Sequence, residues 1–569
     1  MPITDSQLDE FLLDLVKLQP ESKKSFDSCR RKCASRLSIC QPSNRQLLKR
    51  YRERIENGTL DESATILKFM RKAGIRNSSG IAVITSLLKP YPCPGKCVYC
   101  PTETRMPKSY IASEPAAARS LRLDFNPYEL MKQRIEMLEG NGHTTDKIEY
   151  ITKGGTWNAY PLKYQYWYML ESFKACNNPG RETQIAPTNE EEWNDKPLSA
   201  LQDALAIEKE YNETAPHRLI GVTFETRPDA LTPKTMWHMR MQGCTRIELG
   251  LQAPDDNILT LIKRGHSVDQ FRQAMYWLRR IGFKVDLHFM PDLPGTTPDH
   301  DIDMYRSLFS DPSLKPDMVK IYPNTVIESA ELYEWLQDGR YTPYGDKGLF
   351  SALRQMKLDT PRYCRISRLI RDIPSNEIAA GNEITNLREM LSAQLKKEGL
   401  KCECLRCREI ARHPVVAKHA KPIELFDDVY ETVGGEEHFV TYEDPDRTAV
   451  YGFLRLRLPN DSRVTLSEEL LQKKEAMFER DMVNHFPDLT DDVAFIRELH
   501  VYGNLIGIGK KDADASQHKG HGKRLVAEAE RITKEHGFAK LAIISGVGVR
   551  GYYRKLGYDL VGSYMVKDL

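Results

Sequence analysis

Three short stretches of this 569-residue chain carry residue types whose spacing could do chemistry. The first is Tyr91-Pro92-Cys93-Pro94-Gly95-Lys96-Cys97-Val98-Tyr99-Cys100. Three cysteines spaced C-x3-C-x2-C bring three thiolates to three irons of a 4Fe-4S cluster from one loop, leaving the fourth iron open to a substrate. Spacing alone also allows a structural zinc loop. The second is Gln517-His518-Lys519-Gly520-His521-Gly522, a Q-x-x-G-x-G pattern that opens the amphipathic run LVAEAERITKEHG. Glycines at a helix N-terminus uncover successive amide N–H groups, which can cradle a pyrophosphate with help from the helix dipole. In the third, Cys402, Cys404 and Cys407 offer three corners of a tetrahedral zinc site, with free thiols or a second iron-sulfur cluster as the alternatives. Cys364, His413 and His419 are the candidates for the fourth zinc ligand.

The elements that must position these residues follow from length and periodicity. A chain of this size holds two to four domains. Its 40% hydrophobic and 28% charged residues describe a globular protein, and no apolar run reaches membrane-spanning length. The first residues lack the basic start and cleavage site of a secretory signal, so the expected location is the cytoplasm. Twelve cysteines that cluster in sequence point to metal or cluster ligation rather than to a disulfide scaffold. Apolar, β-branched runs at 81–88, 148–152, 219–225, 246–251, 285–290 and 318–322 alternate with helix-length segments. They predict an α/β fold, a partial parallel (β/α)6 barrel over 81–345 with its chemistry in the loops after the strand ends. The cysteine loop follows the first strand. Residues 176–217 read as a polar, partly helical insertion to which we assign no chemistry. A connector with the zinc site is expected over 346–430. A separate α/β unit is expected over 431–569, with strands at 438–442, 450–458, 495–502 and 541–545. Residues 1–80 read as helical. Between Glu21 and Arg54 they hold eleven basic residues against three acidic ones, hidden by a net charge of only +2. Such a segment is a candidate phosphate-binding surface, with a solvated charged face as the alternative.

The cysteine loop, with Lys153-Gly154-Gly155-Thr156 after the second strand, resembles that of the radical S-adenosylmethionine (SAM) enzymes. The glycine loop, with Gly551-Tyr552-Tyr553-Arg554-Lys555-Leu556-Gly557-Tyr558, resembles the GNAT acetyltransferases. The two together resemble the Elongator catalytic-subunit family, including its single-chain archaeal and bacterial members. The resemblance runs from about Gly74 to the C-terminus through SGIAVITSLLKPYPCPGKCVYCP, FETRPDALTP, IELGLQ, VKIYP, RELHVYGN, QHKGHG and SGVGVRGYYRKLGY.

It implies an enzyme that modifies the wobble uridine of tRNA anticodons. In that chemistry SAM is cleaved at the cluster on Cys93, Cys97 and Cys100, hydrogen is taken from the acetyl-CoA methyl group, and the carbon joins C5 of uracil. Thioester hydrolysis leaves a carboxymethyl group. Gly154, Gly155, Glu225, Arg227, Glu248 and Gln252 are implied in the SAM pocket, and Lys147, just before the second strand, toward acetyl-CoA. Glu498, Leu499, His500 and Val501 are implied to grip the acetyl-pantetheine arm. Gln517, Gly520, His521 and Gly522 correspond to the pyrophosphate loop, Tyr552 and Tyr553 to the thioester-side aromatics, and Lys320 to a lysine near the uridine. Lys320, in an apolar strand, is expected at the barrel mouth or snorkelling to its rim. The implied partner is the tRNA anticodon stem-loop, with a homodimer or Elongator-type accessory subunits left open. The family follows its last cluster cysteine with Pro-Gly-Gly, whereas here Pro101 precedes Thr102 and Glu103. A protein lysine acetyltransferase with a structural barrel is the competing reading, and a tRNA-binding scaffold is a third.

Overall fold

The alternation of strands and helices appears in the computed structural model as one curled parallel sheet followed by one mixed sheet. The structure describes residues 3–71, 80–413, 422–460, 486, 493–502 and 520–569. The expectations for Gln517, His518, Lys519 and His419 lie outside the described residues.

The first sheet takes its strands in sequence order: β1 (Ala82–Leu87), β2 (Lys147–Lys153), β3 (Arg218–Thr226), β4 (Arg246–Gln252), β5 (Lys284–Phe289) and β6 (Met318–Ile321). A short antiparallel pair, β7 (Thr325–Val326) and β9 (Ala380–Gly381), brackets β8 (Arg365–Arg368). Strand β8 adds to β6 in parallel, so the sheet has seven strands rather than six. Several helices between strands begin on a capping residue followed by proline, at Asn126-Pro127, Thr232-Pro233 and Thr297-Pro298. Each cap satisfies an amide that the first turn leaves open, and proline fits where no amide bond is needed. The helix Leu162–Asn177 is buried on nearly every face because the insertion helix Leu198–Asn212 packs over its outer side.

The second sheet has the order β10 (Glu424–Thr432), β11 (Gly435–Glu443), β12 (Val450–Pro459), β13 (Val493–Val501), β14 (Lys540–Ile543), β16 (Tyr564–Asp568) and β15 (Asp559–Val561). It starts at Glu424, inside the stretch read as connector, and the helix His521–Glu535 covers one face. Four N-terminal helices, Asp5–Lys17, Lys23–Arg36, Asn44–Glu56 and Ala64–Met70, close around a small core that includes Phe11, Leu12, Phe26, Leu47 and Tyr51. Arg52 and Arg71 tie this bundle to the end of the helix Pro127–Gly140, each through a backbone carbonyl at 3.0 Å. Among the described residues no helix is long and apolar enough to cross a membrane.

The two sheets meet through buried charge. Asp317, just ahead of β6, receives Arg279 at 2.9 Å and Arg497 of β13 at 2.6 Å. Glu437 of β11 receives Arg497 at 2.7 Å, Arg457 at 3.1 Å and Arg279 at 3.4 Å. All of these side chains are fully buried. Gly546 and Gly548 press on β3 so closely that a Cβ on either would collide with Ile220 or Arg218. The insertion joins this contact too, because Glu213 pairs with Arg550 and Arg554.

Candidate functional site

Strand β1 ends at Leu87, and the chain then crosses the barrel mouth as the cysteine loop. Cys93, Cys97 and Cys100 open onto one cleft together with Gly155, Glu225, Arg227 and Gln252. The Cys97 thiol is pulled down to about 4, first by a hydrogen bond with Cys100, against burial, and then by the Arg264 guanidinium 3.5 Å away. Cys93 Sγ lies 3.8 Å from Thr156 Oγ1, so the loop rests on the turn after β2. That turn needs its glycines. Gly155 has φ +85°, and a Cβ on Gly154 would stand 2.9 Å from Leu88 Cβ. The departure after Pro101 is locally tied down, because the Thr102 amide donates to the Ser329 carbonyl and the Ala112 amide donates to Glu103.

Among the described residues lining this cleft, four buried polar atoms have open valences, Thr226 Oγ1, Arg227 Nη1, Gln252 Oε1 and Asn324 Oδ1, and Arg227 and Gln252 lie on the side of the thiols. Arg227 is otherwise held by Asp229 and the Arg264 carbonyl, and a Cβ on Gly95 would strike Nη1. Gln252 sits at φ +77°. A buried donor and a buried acceptor left open beside three thiols call for a ligand with a carboxylate and an ammonium. The residues present therefore fit a 4Fe-4S cluster with SAM on it.

The floor of the cleft, with Lys153, Glu225 and His288, and the barrel interior beneath it are charged. Side chains alternate along a strand, so residues two apart share a face. The inward rows are Lys153 and Glu149 on β2, Glu225 on β3, Glu248 and Arg246 on β4, His288, Asp286 and Lys284 on β5, and Lys320 on β6. Glu248 is fully buried and takes both Lys153 and Lys320, with His288 Nε2 at 3.2 Å. Lys320 also stands 3.7 Å from Asp286. Lower down, Arg246 pairs with Glu149, and Lys284 reaches Glu498 of β13 at 3.4 Å. Burial would raise Glu225, but Lys153 above all holds it down at about 2. Burial, then Lys320 and Lys153, push His288 down to about 3.

These positions correct several expectations. Lys320 is neither at the mouth nor at the rim: it turns into the interior, where Glu248 and Asp286 offset its charge. Glu248 lies under the cleft rather than along it, since Lys153 covers it. Lys147 is the first residue of β2 rather than part of the preceding loop, on the same row as Glu149 and at the barrel end that faces β13. The sequence reading passed over Lys153, Asp286, His288 and Arg264. The signal for the first three was present as charge at every second position in strands that are otherwise apolar, as in KVDLHF.

In the second sheet, β13 pairs with β14 only from Val493↔Lys540 to Ile496↔Ile543, then runs on to Val501 without it. The Glu498–Val501 stretch expected to grip an acyl arm is the part that leaves its parallel neighbour. His500 packs in a triangle of rings with Phe453, on which it stacks, and Tyr502, to which it is tilted. The helix that starts at His521 has Gly520 at φ +74° as its cap. A Cβ on Gly522 would stand 2.9 Å from the Tyr552 hydroxyl oxygen and 3.5 Å from Val501 Cγ2, so helix start, strand end and Tyr552 converge. Tyr552 is partly exposed there, whereas Tyr553 is buried in the core against Tyr558.

The third cysteine group is gathered: Cys402, Cys404 and Cys407 bring their thiols within 4.8 Å of one another. Thiolates at the corners of one zinc ion stand about 3.8 Å apart, so small shifts complete the site. Hydrogen bonds from Cys402 and Cys407 hold the Cys404 thiol well below its ordinary range. His413 Nε2 is 2.8 Å from the Cys407 carbonyl oxygen, and Cys364 is buried nearby, its carbonyl accepting from the Leu405 amide.

The chain matches the Radical SAM superfamily over residues 91–308 and the Radical_SAM C-terminal domain over 316–397. It is 37% identical to a tRNA uridine(34) acetyltransferase of Methanocaldococcus jannaschii, over 99% of this chain and 97% of that one. It is 36% identical to the Elongator complex protein 3 of Bos taurus, over 87% and 85%. Among solved structures, the archaeal Methanocaldococcus infernus Elp3 lacking residues 1-46 of its N-terminus superposes with a TM-score of 0.68 at 35% identity, covering 86% of this chain and all of that one.

Proposed function

This chain belongs to the family of the tRNA uridine(34) acetyltransferases and Elongator complex protein 3, and from that premise we propose that it installs a carboxymethyl group on C5 of the wobble uridine of tRNA. The observation that carries the reading is the charged barrel interior, which leads from the thiol cleft on one side to Glu498 of β13 on the other. An apolar packed interior would separate the two ends; this one joins them by polar groups.

Cys93, Cys97 and Cys100 would hold the cluster, with Arg227 and Gln252 toward the carboxylate and ammonium of SAM. When bound, this pair supplies the carbon radical that a uracil C5 requires, since that carbon is no partner for ordinary acyl transfer. The protein's own residues do the rest. Tyr552, Gly520–Gly522 and the run of β13 beyond its pairing with β14 receive acetyl-CoA, a GNAT-like use of this sheet. Lys147 and Lys284 place cations at the barrel end where the acetyl group would enter. Lys320, held by Glu248 and Asp286, keeps an ammonium inside the barrel that can orient a carbonyl oxygen of thioester or uracil. The Cys402, Cys404 and Cys407 thiols would hold a structural zinc ion.

The test uses anaerobically reconstituted full-length protein with SAM, dithionite, acetyl-CoA and unmodified tRNA. We expect 5'-deoxyadenosine together with 5-carboxymethyluridine in digested tRNA, both lost in Cys97→Ala. Acetylated lysines without deoxyadenosine would instead assign a protein acetyltransferase.

A further inference from the structure

We propose that Glu436, His438 and His536 form a site for one divalent transition-metal ion, zinc by its ligand set, on the outer face of the C-terminal sheet. Strand β11 alternates. Glu437 points to the barrel, where it meets Arg279, so Glu436 and His438 point the other way, under the helix His521–Glu535. That helix lies antiparallel to β11: His521 stands over Tyr442 and His536, just past its last turn, over His438. The ligand atoms of Glu436, His438 and His536 all lie within 4.8 Å of one another.

The second nitrogen of each imidazole is engaged. His438 Nδ1 donates to Asp427 Oδ2 at 2.7 Å, and His536 Nδ1 donates to the Ile532 carbonyl at 2.8 Å. A histidine that gives one N–H to a carboxylate or carbonyl offers the lone pair of the other nitrogen in a fixed direction, the arrangement found behind metal-bound histidines. His438 Nε2 then faces Glu436 Oε1 at 3.2 Å. Two ligands about 2.05 Å from a tetrahedral zinc ion stand about 3.3 Å apart, so this pair already spans one edge of a coordination tetrahedron. His536 supplies the third corner. The partly exposed Glu436 leaves the fourth to water, and the ion would fasten the β10–β11 hairpin to the end of the helix. The competing occupant is a proton, with His438 as an imidazolium between Asp427 and Glu436.

Zinc alone decides between them. Full-length protein is stripped with chelator, equilibrated with zinc chloride, freed of excess metal and counted by plasma mass spectrometry. Against wild type, His438→Gln and His536→Gln should each lose about one zinc per chain. Cys404→Ser should lose a different one, so His536→Gln/Cys404→Ser loses both. Zinc should also raise the melting temperature of wild type more than that of His536→Gln. His536 is exposed, so its variant decides the question even where His438→Gln misfolds. A zinc count for folded His536→Gln equal to wild type overturns the proposal and leaves the imidazolium.

Discussion

Lys153 and Lys320 share one buried carboxylate, Glu248, which His288 also approaches. Removing one partner from a buried ionic group costs about 3–5 kcal/mol, because the remaining charge has no water to turn to. Glu248→Gln should therefore lower stability by about that amount in urea melts, and the loss of deoxyadenosine formation should accompany it. The titration of this group makes a second prediction. With Glu225 at about 2 and His288 at about 3, the first is ionised and the second neutral throughout pH 5–8. The His288 shift favours the neutral form in the folded state. Its contribution is present above the ordinary histidine range and falls as pH drops from there toward 3. Deoxyadenosine rates measured across pH 5–8 should thus show no limb that His288→Gln removes; finding one would place the proton differently. At this scale the cysteine loop was fully legible, since its spacing is local. The lysine pair was not, because a single charge in an apolar strand does not show which partner waits two strands away.

The elements that carry the second site are β13 and the helix His521–Glu535. Tyr552 stands at their convergence, while its neighbour Tyr553 fills the core. Tyr552→Ala should raise the KM for acetyl-CoA by roughly tenfold or more with the melting temperature unchanged. Tyr553→Ala should do the reverse, costing about 3–5 kcal/mol as a large core deletion. Kinetics and melts on the two variants check the assignment, and equal effects from both would contradict it. Six barrel strands were readable from apolar, β-branched runs. Strand β8 was not: Arg365-Ile366-Ser367-Arg368 has a single apolar residue, and only its place beside β6 makes it a strand. Strand β10 was hidden likewise, because an edge strand with one solvated face reads as polar connector.

For the whole molecule, the buried network of Asp317 and Glu437 with Arg279, Arg455, Arg457 and Arg497 fixes one sheet to the other. Burial alone would raise both carboxyls, but the arginines depress them below the ordinary carboxylate range. Their contribution is therefore complete above that range and disappears as pH falls through their lowered values. Acid unfolding followed by intrinsic fluorescence should shift to higher pH in Asp317→Asn, with a loss of about 3–5 kcal/mol at neutral pH. At the other end of the chain, Lys24, Arg31, Lys32 and Lys49 are exposed on the N-terminal bundle, whereas Arg36 and Arg50 are committed to Asp14, Glu10 and Asp9. The sequence counted all of these cations alike; folding decides which remain available. Changing Lys24, Arg31 and Lys32 to glutamine should weaken tRNA binding and flatten its dependence on salt by about 0.7–0.9 per lost phosphate contact, measured by filter binding at several ionic strengths.

The same network sets an order of birth. Asp317 leaves the ribosome 180 residues ahead of Arg497, the arginine that binds it most closely. Until the second sheet emerges, Asp317 has only Arg279 of its arginine partners, and the strand starts that this sheet will cover stand open. A chain ending between β8 and β13 would hold every strand of the barrel sheet and lack the strand that covers its lower end.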